Sequence, residues 1–464
     1  MEAAPTTRFE IVPQKLIYGG AALGHHQGHP VLVTGALPGE RVEVEIVRQA
    51  KGMIHTRLLR VLTPHPERVA APCPLFLRCG GCHYQQLDAP RQLEFKREIL
   101  RETLRRIGGI DWPGEIRLHA GHPWGYRNQV QLKIGRDQDR RAAIGFFEAD
   151  SHRLVAVRAC PISSPRLNSI LEEISRPEWV ERLAGCQELE LFADAENEEV
   201  LMTLRGDGSG SPELAQDCLK TLPGVVGVAL EPRSRMQSSP EKFRKPNRGL
   251  PWGQGDHIKI FGKQRLGYRV GEFQYEVSPG SFFQASRTLL PDFVEAVTSF
   301  GAGNPGLALD LYAGVGLFTL PLARQFSQVV AVEANRRSAA DLARNVAAAS
   351  AANTRTVRAK AADFLRRYAQ AAPGLVVLDP PRAGCEAETL RLLARLGPAS
   401  IHYASCQPPT LGRDLAFLVR HGFELESVDL FDLFPQTFHI ETLVKLRRAE
   451  AAAFHWQGLP LAWR

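Results

Sequence analysis

The spacing of hydrophobic and polar positions changes character several times along this chain. Over residues 8 to about 65, short β-forming runs lie between Gly-Gly and Pro-Gly turns: Phe9-Glu10-Ile11-Val12, Pro30-Val31-Leu32-Val33, and Arg41 to Val47. In the last run Val42, Val44 and Ile46 alternate with polar residues, which puts them on one face of a strand. Strands this short and evenly spaced predict a small five-stranded barrel, a closure that in some proteins binds oligonucleotides and in others only packs against a neighbour. From Asp88, an N-cap residue type, Leu93, Leu100, Leu104 and Ile107 recur at helical spacing until Gly108-Gly109 ends the run. Its other face carries Arg91, Lys96, Arg97, Arg101, Arg105 and Arg106 beside Glu94, Glu98 and Glu102, and reads as a solvated, internally paired surface. Between about 113 and 265 the pattern is strand-rich, clearest at Val130 to Ile134 and Glu188 to Phe192. Beyond 270 strands and helices alternate, the mark of a parallel α/β sheet.

At 464 residues the chain exceeds one hydrophobic core. The pattern divides it into a β-barrel (1–66), a strand-rich central domain (67–265) and an α/β Rossmann-like domain (266–464). No apolar run is long enough to span a bilayer. The start, Met1-Glu2-Ala3-Ala4-Pro5, lacks the basic and apolar regions of a signal peptide, so a soluble cytoplasmic protein with no membrane partner is expected. Charge sharpens the picture in one place. From Glu231 to Val270 there are ten Lys and Arg against three acids, which matches the whole net charge of +7. Such a segment suits either contact with phosphates or a solvated loop.

Chemistry concentrates in the last third. Leu307 to Tyr312 reads as an apolar strand, followed by Ala313-Gly314-Val315-Gly316-Leu317-Phe318 and a helix from Thr319 to Gln325. The glycines let the backbone turn tightly and approach a ligand. The next strand ends in Glu333, placed like a carboxylate that accepts ribose hydroxyls. A third turn is expected to bring Asp363 to the same edge, and a fourth strand ends in Asp379-Pro380-Pro381-Arg382. A dinucleotide fingerprint requires a third glycine where Thr319 stands, which disfavours NAD and favours S-adenosylmethionine.

Two sets of cysteines stand out among eight. Cys406 follows the apolar run Ile401 to Ala404, and Pro408-Pro409 are expected to stop the chain from running on as helix or central strand. A thiol there, with Glu441 downstream, suits a nucleophile and a general base. Cys385 is the rival thiol, whereas Cys186 and Cys218 have no partner spacing and read as core. Cys73, Cys79 and Cys82 form C-x5-C-x2-C, with Cys160-Pro161 as a distant fourth; spacing alone allows zinc, an iron-sulfur centre or plain packing.

Asp310-Leu311-Tyr312-Ala313-Gly314-Val315-Gly316, Asp379-Pro380-Pro381-Arg382-Ala383-Gly384, Ser405-Cys406-Gln407-Pro408 and Phe434-Pro435-Gln436-Thr437-Phe438-His439-Ile440-Glu441 occur in that order. In these motifs the chain resembles the RNA uracil-5 methyltransferase family, whose members act on 23S ribosomal RNA and on the tRNA T-loop. The likeness extends to Ser281-Phe282-Phe283-Gln284, Tyr126-Arg127-Asn128, the cysteine block and a TRAM-like barrel containing Pro38-Gly39-Glu40-Arg41-Val42.

The resemblance implies Cys406 as nucleophile and Glu441 as the base that removes the C5 proton. It implies Gln284, Tyr312, Glu333, Asp363 and Asp379 around S-adenosylmethionine and uracil, and a [4Fe-4S] cluster on Cys73, Cys79, Cys82 and Cys160. The chain departs from the family pattern at Gln407, Ser286 and Leu317, which bears on fine cofactor contacts. Uracil chemistry fits the pair independently. A thiolate added at C6 makes C5 nucleophilic, and a base must then remove the C5 proton. The target uracil must leave its stack to reach the thiol, and Tyr126 and Arg127 are candidates to stack a base and contact phosphate. The expected partner is structured RNA, ribosomal RNA ahead of the tRNA T-loop, bound by a monomer. A non-catalytic RNA-binding or assembly factor, or an iron-sulfur redox protein or sensor, is the alternative of a different class.

Overall fold

In a computed structural model, residues 8–149, 151–206, 210–232, 258–301 and 306–449 are described. The basic segment between Glu231 and Val270 lies mostly outside them.

The N-terminal unit is a sheet of six strands, one more than the sequence pattern announces: Arg8–Ile11, Lys15–Leu16, Ala21–His26, His29–Thr34, Arg41–Ala50 and Met53–Thr63. In the sheet they run in the order first, fifth, sixth, fourth, third, second. Lys15–Leu16 is too short to show an alternation of its own. Val42 and Val44 are buried as the period of two requires, but Ile46 is not. The register shifts between Ile46 and Arg48, and Glu45 is covered by its exposed cross-strand partners Arg8 and Arg57, with which it pairs.

The helix Ala89–Gly108 has the predicted ends. The Asp88 carboxylate accepts from the Arg91 amide at 3.1 Å, and Gly109 closes the helix in the left-handed region at φ 63°. Its polar face is not all solvated. Lys96 is fully buried, and its ammonium donates to Asp432 at 2.7 Å and to the Phe434 carbonyl at 2.9 Å. The partner lies 336 residues away, so no local charge pattern reports it. Conversely, Ile107 on the expected apolar face is half-exposed. The helix packs on Pro408–Arg420, where the two backbones approach at glycines: a Cβ on Gly108 would stand 3.1 Å from the Gly412 carbonyl oxygen.

The central unit is a seven-stranded sheet with Gln129–Arg136, Glu188–Ala193, Val200–Gly206 and Val225–Pro232 at its middle, covered by helices Pro165–Ile174, Pro177–Leu183 and Pro212–Thr221. Leu167, Ile170, Leu189, Leu191 and Met202 form its own core. On this sheet the buried Arg205 donates to Glu188, Glu190 and Glu231 at 2.7–3.0 Å. Glu231 also accepts from Arg337 at 3.1 Å, which ties the sheet to the C-terminal unit.

The C-terminal sheet has eight strands. Thr354–Arg358, Gln328–Glu333, Leu307–Leu311, Leu375–Leu378 and Ser400–Ser405 lie side by side and parallel. Glu441–Arg448 then runs antiparallel, followed by Phe423–Phe431 and, at the edge, Ile116–His119. That last strand comes from the segment preceding the central sheet, a placement with no signature in the sequence pattern. The inner parallel strands are buried on both faces, Leu309, Val330 and Val376 on one and Ala308, Val329 and Val377 on the other. Among the described residues no helix is long and apolar enough to cross a membrane.

Candidate active site

Strands Leu307–Leu311, Leu375–Leu378 and Ser400–Ser405 are parallel neighbours, so their carboxyl ends open onto one crevice, the usual ligand position in sheets of this kind. Cys406 leaves the end of Ser400–Ser405. Pro408 and Pro409 do not end helical structure there; Pro408 is the first residue of the helix Pro408–Arg420. A proline in the first turn forfeits no intrahelical bond, because those amides have no partner in the helix. The turn is braced by the Gln407 amide donating to Ser405 Oγ at 3.2 Å and Thr410 Oγ1 donating to the Gln407 carbonyl at 3.0 Å.

The antiparallel pairing sets Ser405 opposite Thr442, so Cys406 and Glu441 emerge together at the same end of adjacent strands. Glu441 is 2% exposed, and its Oε1 has no hydrogen-bond partner among the described residues. Burial, and next the charge of Asp379, hold its pKa well above the ordinary carboxylate value, while Arg382 pulls it down. Burial likewise pushes the Cys406 thiol up to about 12, with Glu441 and Asp379 adding to the effect and Arg382 opposing it. Asp379, immediately after Leu375–Leu378, is raised to about 7 by burial and then by Asp310. Asp310, itself raised to about 7 by burial, accepts from Thr319 Oγ1 at 2.5 Å. Thr319, standing where a dinucleotide site would have glycine, thus anchors the start of its helix to the strand.

The glycine turn is shaped as the sequence suggests. Gly314 and Gly316 have φ 56° and 97°, and a Cβ on Gly316 would come within 2.9 Å of Leu342. Tyr312 also has a positive φ, 66°, a conformation that costs a non-glycine residue about 1–3 kcal/mol and clusters at ligand sites. Glu333 reaches back over the turn. Its carboxylate accepts from the Gly314 amide at 2.9 Å and from the Asn335 amide at 2.6 Å. Gln284 is buried next to Phe283, two residues after the 68% exposed ring of Phe282. Asp363 is placed differently from the rest. It sits in the first turn of the helix Ala361–Arg367, with its side chain half-exposed and paired with Arg366 at 2.9 Å.

Two tripeptide residues change role. Tyr126 is fully buried with its hydroxyl donating to the Pro435 carbonyl at 2.9 Å, and Asn128 is fully buried with its amide donating to Tyr268 Oη at 2.7 Å. Neither ring nor amide is free to meet RNA; both brace the loop leading to Glu441 and the central sheet. Cys385 is 3% exposed, and burial pushes its thiol up to about 12. It lies in the core, without access to a substrate. Sequence reasoning gave no role to Asp310, Arg382 or Tyr18, the last donating to Gln407 from the N-terminal sheet.

Cys73, Cys79, Cys82 and Cys160 are partly buried; burial first, and then the neighbouring thiols, raise the pKa of Cys73, of Cys79 to about 11 and of Cys82 to about 12. Among the described residues no three His, Cys, Asp or Glu side chains converge as a single metal ion requires. Gly80 has a packing reason of its own, since a Cβ there would stand 3.0 Å from the Ala149 amide nitrogen.

The profile of the family described as tRNA (Uracil-5-)-methyltransferase matches residues 259–449. A 23S rRNA (uracil(1939)-C(5))-methyltransferase RlmD of Alkalilimnicola ehrlichii is 33% identical over 457 residues, covering 96% of this chain and 97% of that protein. An uncharacterized RNA methyltransferase of Synechocystis is 33% identical, covering 94% of this chain and 95% of its own. The solved Pyrococcus abyssi tRNA (uracil-54, C5)-methyltransferase, in complex with S-adenosyl-L-homocysteine, shares the fold with a TM-score of 0.72 and 24% identity, covering 94% of this chain and 100% of that one. With the strand-end crevice and near full-length likeness together, the chain belongs to the RNA uracil-5 methyltransferase family of S-adenosylmethionine-dependent enzymes.

Proposed function

We propose that this protein methylates C5 of a uridine in 23S ribosomal RNA through a covalent bond between Cys406 and C6. The observation that carries the reading is the juxtaposition of a strand-end thiol with a buried carboxylate whose Oε1 has no partner among the described residues. S-adenosylmethionine supplies the methyl group on a positively charged sulfur. Gln284, Tyr312, Glu333 and Asp379 would hold cofactor and uracil, with Asp363 at the periphery. Cys406, as thiolate, forms a bond to C6, and the displaced π electrons make an enolate. C5 takes the methyl group with that electron pair, and the methyl–sulfur bonding pair stays on the departing S-adenosylhomocysteine. Glu441 then removes the C5 proton, the C5=C6 bond re-forms, and the C6–S bond breaks to return the thiolate. A bound sulfonium cation would favour both the thiolate and the ionised carboxylate in a pocket that otherwise disfavours them.

The test uses purified protein, labelled S-adenosylmethionine, and unmethylated 23S ribosomal RNA and tRNA. Label in 5-methyluridine of the ribosomal RNA is the expected result. Label confined to the tRNA T-loop would transfer the site to that substrate, and no label in either RNA would refute the reading.

Around this centre we infer a TRAM-like barrel over 1–66, a cluster-bearing and RNA-binding domain over 67–265 with 89–119 docked on the last unit, and a methyltransferase domain over 266–464, acting as a cytoplasmic monomer. Cys73, Cys79, Cys82 and Cys160 are inferred to hold a [4Fe-4S] cluster. The electrostatic influence of Cys160 on the other three thiols supports it, since four thiolates within reach of one another are what such a cluster requires. Methyl transfer needs no electron, so its part would lie in folding or RNA binding. Anaerobically purified protein is expected to carry about four iron atoms per chain and a visible chromophore, both lost in Cys82→Ala. Iron-free, colourless protein would remove the cluster.

A further inference from the structure

We propose that Tyr18, in the turn after Lys15–Leu16 of the N-terminal sheet, is a positioning residue for the Cys406 nucleophile, so that the sheet is part of the catalytic apparatus and not only an RNA-binding appendage. The inference rests on the function proposed above for Cys406. Tyr18 Oη donates to Gln407 Oε1 at 2.8 Å and lies 3.4 Å from the Cys406 carbonyl oxygen, across 388 residues of chain. It therefore grips the nucleophile's own residue and the one after it.

The approach of this turn is built, not incidental. Gly20 has φ 89°, and a Cβ there would strike the His83 ring at 2.6 Å, so only glycine lets the turn lie so close. The Tyr18 ring packs edge-on against Phe438 at 5.4 Å, and the His83 ring also packs edge-on against Phe438, at 4.6 Å. Phe438 belongs to the loop that delivers Glu441. One tyrosine thus touches both the thiol turn and the base loop. Burial, then the nearby Cys406 and Glu441, raise its pKa above the ordinary tyrosine value, so it remains a donor throughout the working range. The acceptor is the side-chain amide oxygen of Gln407, and one methylene less would withdraw it from Tyr18.

The test uses the full-length protein with Tyr18→Phe, which keeps the ring and loses the hydroxyl, Gln407→Asn, and the double variant. Each single variant is expected to lower kcat roughly three- to tenfold with KM for RNA and for S-adenosylmethionine unchanged, and the double variant to fall no further. A second readout does not depend on methyl transfer. Iodoacetamide alkylation of Cys406, followed by mass spectrometry, is expected to quicken several-fold in Tyr18→Phe, because a loosened turn hydrates the thiol. Wild-type kcat and alkylation in Tyr18→Phe would overturn the proposal, as would effects that multiply in the double variant or appear only in KM for RNA. If wild type labels no RNA while alkylation still responds to Tyr18→Phe, the function fails and the positioning of the thiol stands.

Discussion

Cys406→Ala is expected to abolish methylation, with a loss on the order of 10^4-fold or more, and to abolish the covalent adduct with RNA carrying 5-fluorouridine at the target position. The size of the effect follows from the reaction. C5 of uracil attacks a methyl sulfonium poorly until a nucleophile has added at C6, and no other thiol can take over. Cys385 is 3% exposed, its amide donates to Asp414 at 2.8 Å, and it sits behind the crevice. Cys406→Ser should be nearly as inactive, since a hydroxyl in a pocket that already disfavours charge by burial and by two neighbouring carboxyl groups ionises still less readily. For wild type the same physics gives a sign with pH. With the thiol pushed up to about 12 in the free protein, the thiolate fraction and hence the alkylation rate of Cys406 rise as pH rises through the neutral range. Near-normal methylation by Cys406→Ala, read by label transfer, would remove the nucleophile assignment.

The parts of this site that were legible in the sequence are those fixed by short-range chemistry. Gly314 and Gly316 announce a turn because the backbone there needs positive φ, Asp88 and Gly109 announce helix ends, and Cys406 follows an unbroken β-forming run. What stayed hidden depends on residues far away in the chain. Lys96 looks like one more charge on a solvated helix until Asp432 arrives to neutralise it, and Tyr126 looks like a base-stacking ring until the Pro435 carbonyl accepts its hydroxyl. Ile116–His119 is a four-residue run that becomes a strand only because Phe423–Phe431 offers an edge. Pro408-Pro409 is ambiguous locally, since the same residues stop a helix from behind and start one from in front. Asp363 shows how far alternation alone reaches: it places the acid just past the third strand, which ends at Arg358, but does not show that the residue stands in the first turn of the next helix beside Arg366. Tyr18 had no signal at all, because its meaning lies in Gln407.

Glu441→Gln is expected to separate the two halves of the reaction. The thiol is intact, so the adduct should form and the methyl group should transfer, but the C5 proton has no acceptor and the enzyme stays bonded to methylated RNA. A denaturing gel should show a protein–RNA band carrying label from S-adenosylmethionine, and turnover should fall by about 10^2–10^4, the usual worth of a positioned base. The neighbourhood explains why glutamate serves here. Asp379 beside it raises its proton affinity, and two carboxyl groups in one buried pocket do not both ionise cheaply. A carboxylate that has been ionised in such a place, by the cation of the cofactor and by Arg382, recovers its proton more readily than one in water, so the pocket that disfavours its charge also makes it the stronger base. Asp379→Asn should then leave the adduct able to form and weaken the base, giving a smaller share of the same trapped band. Release of methylated RNA by Glu441→Gln at the wild-type rate would mean that another group takes the proton, and the unpartnered Oε1 would need a different explanation.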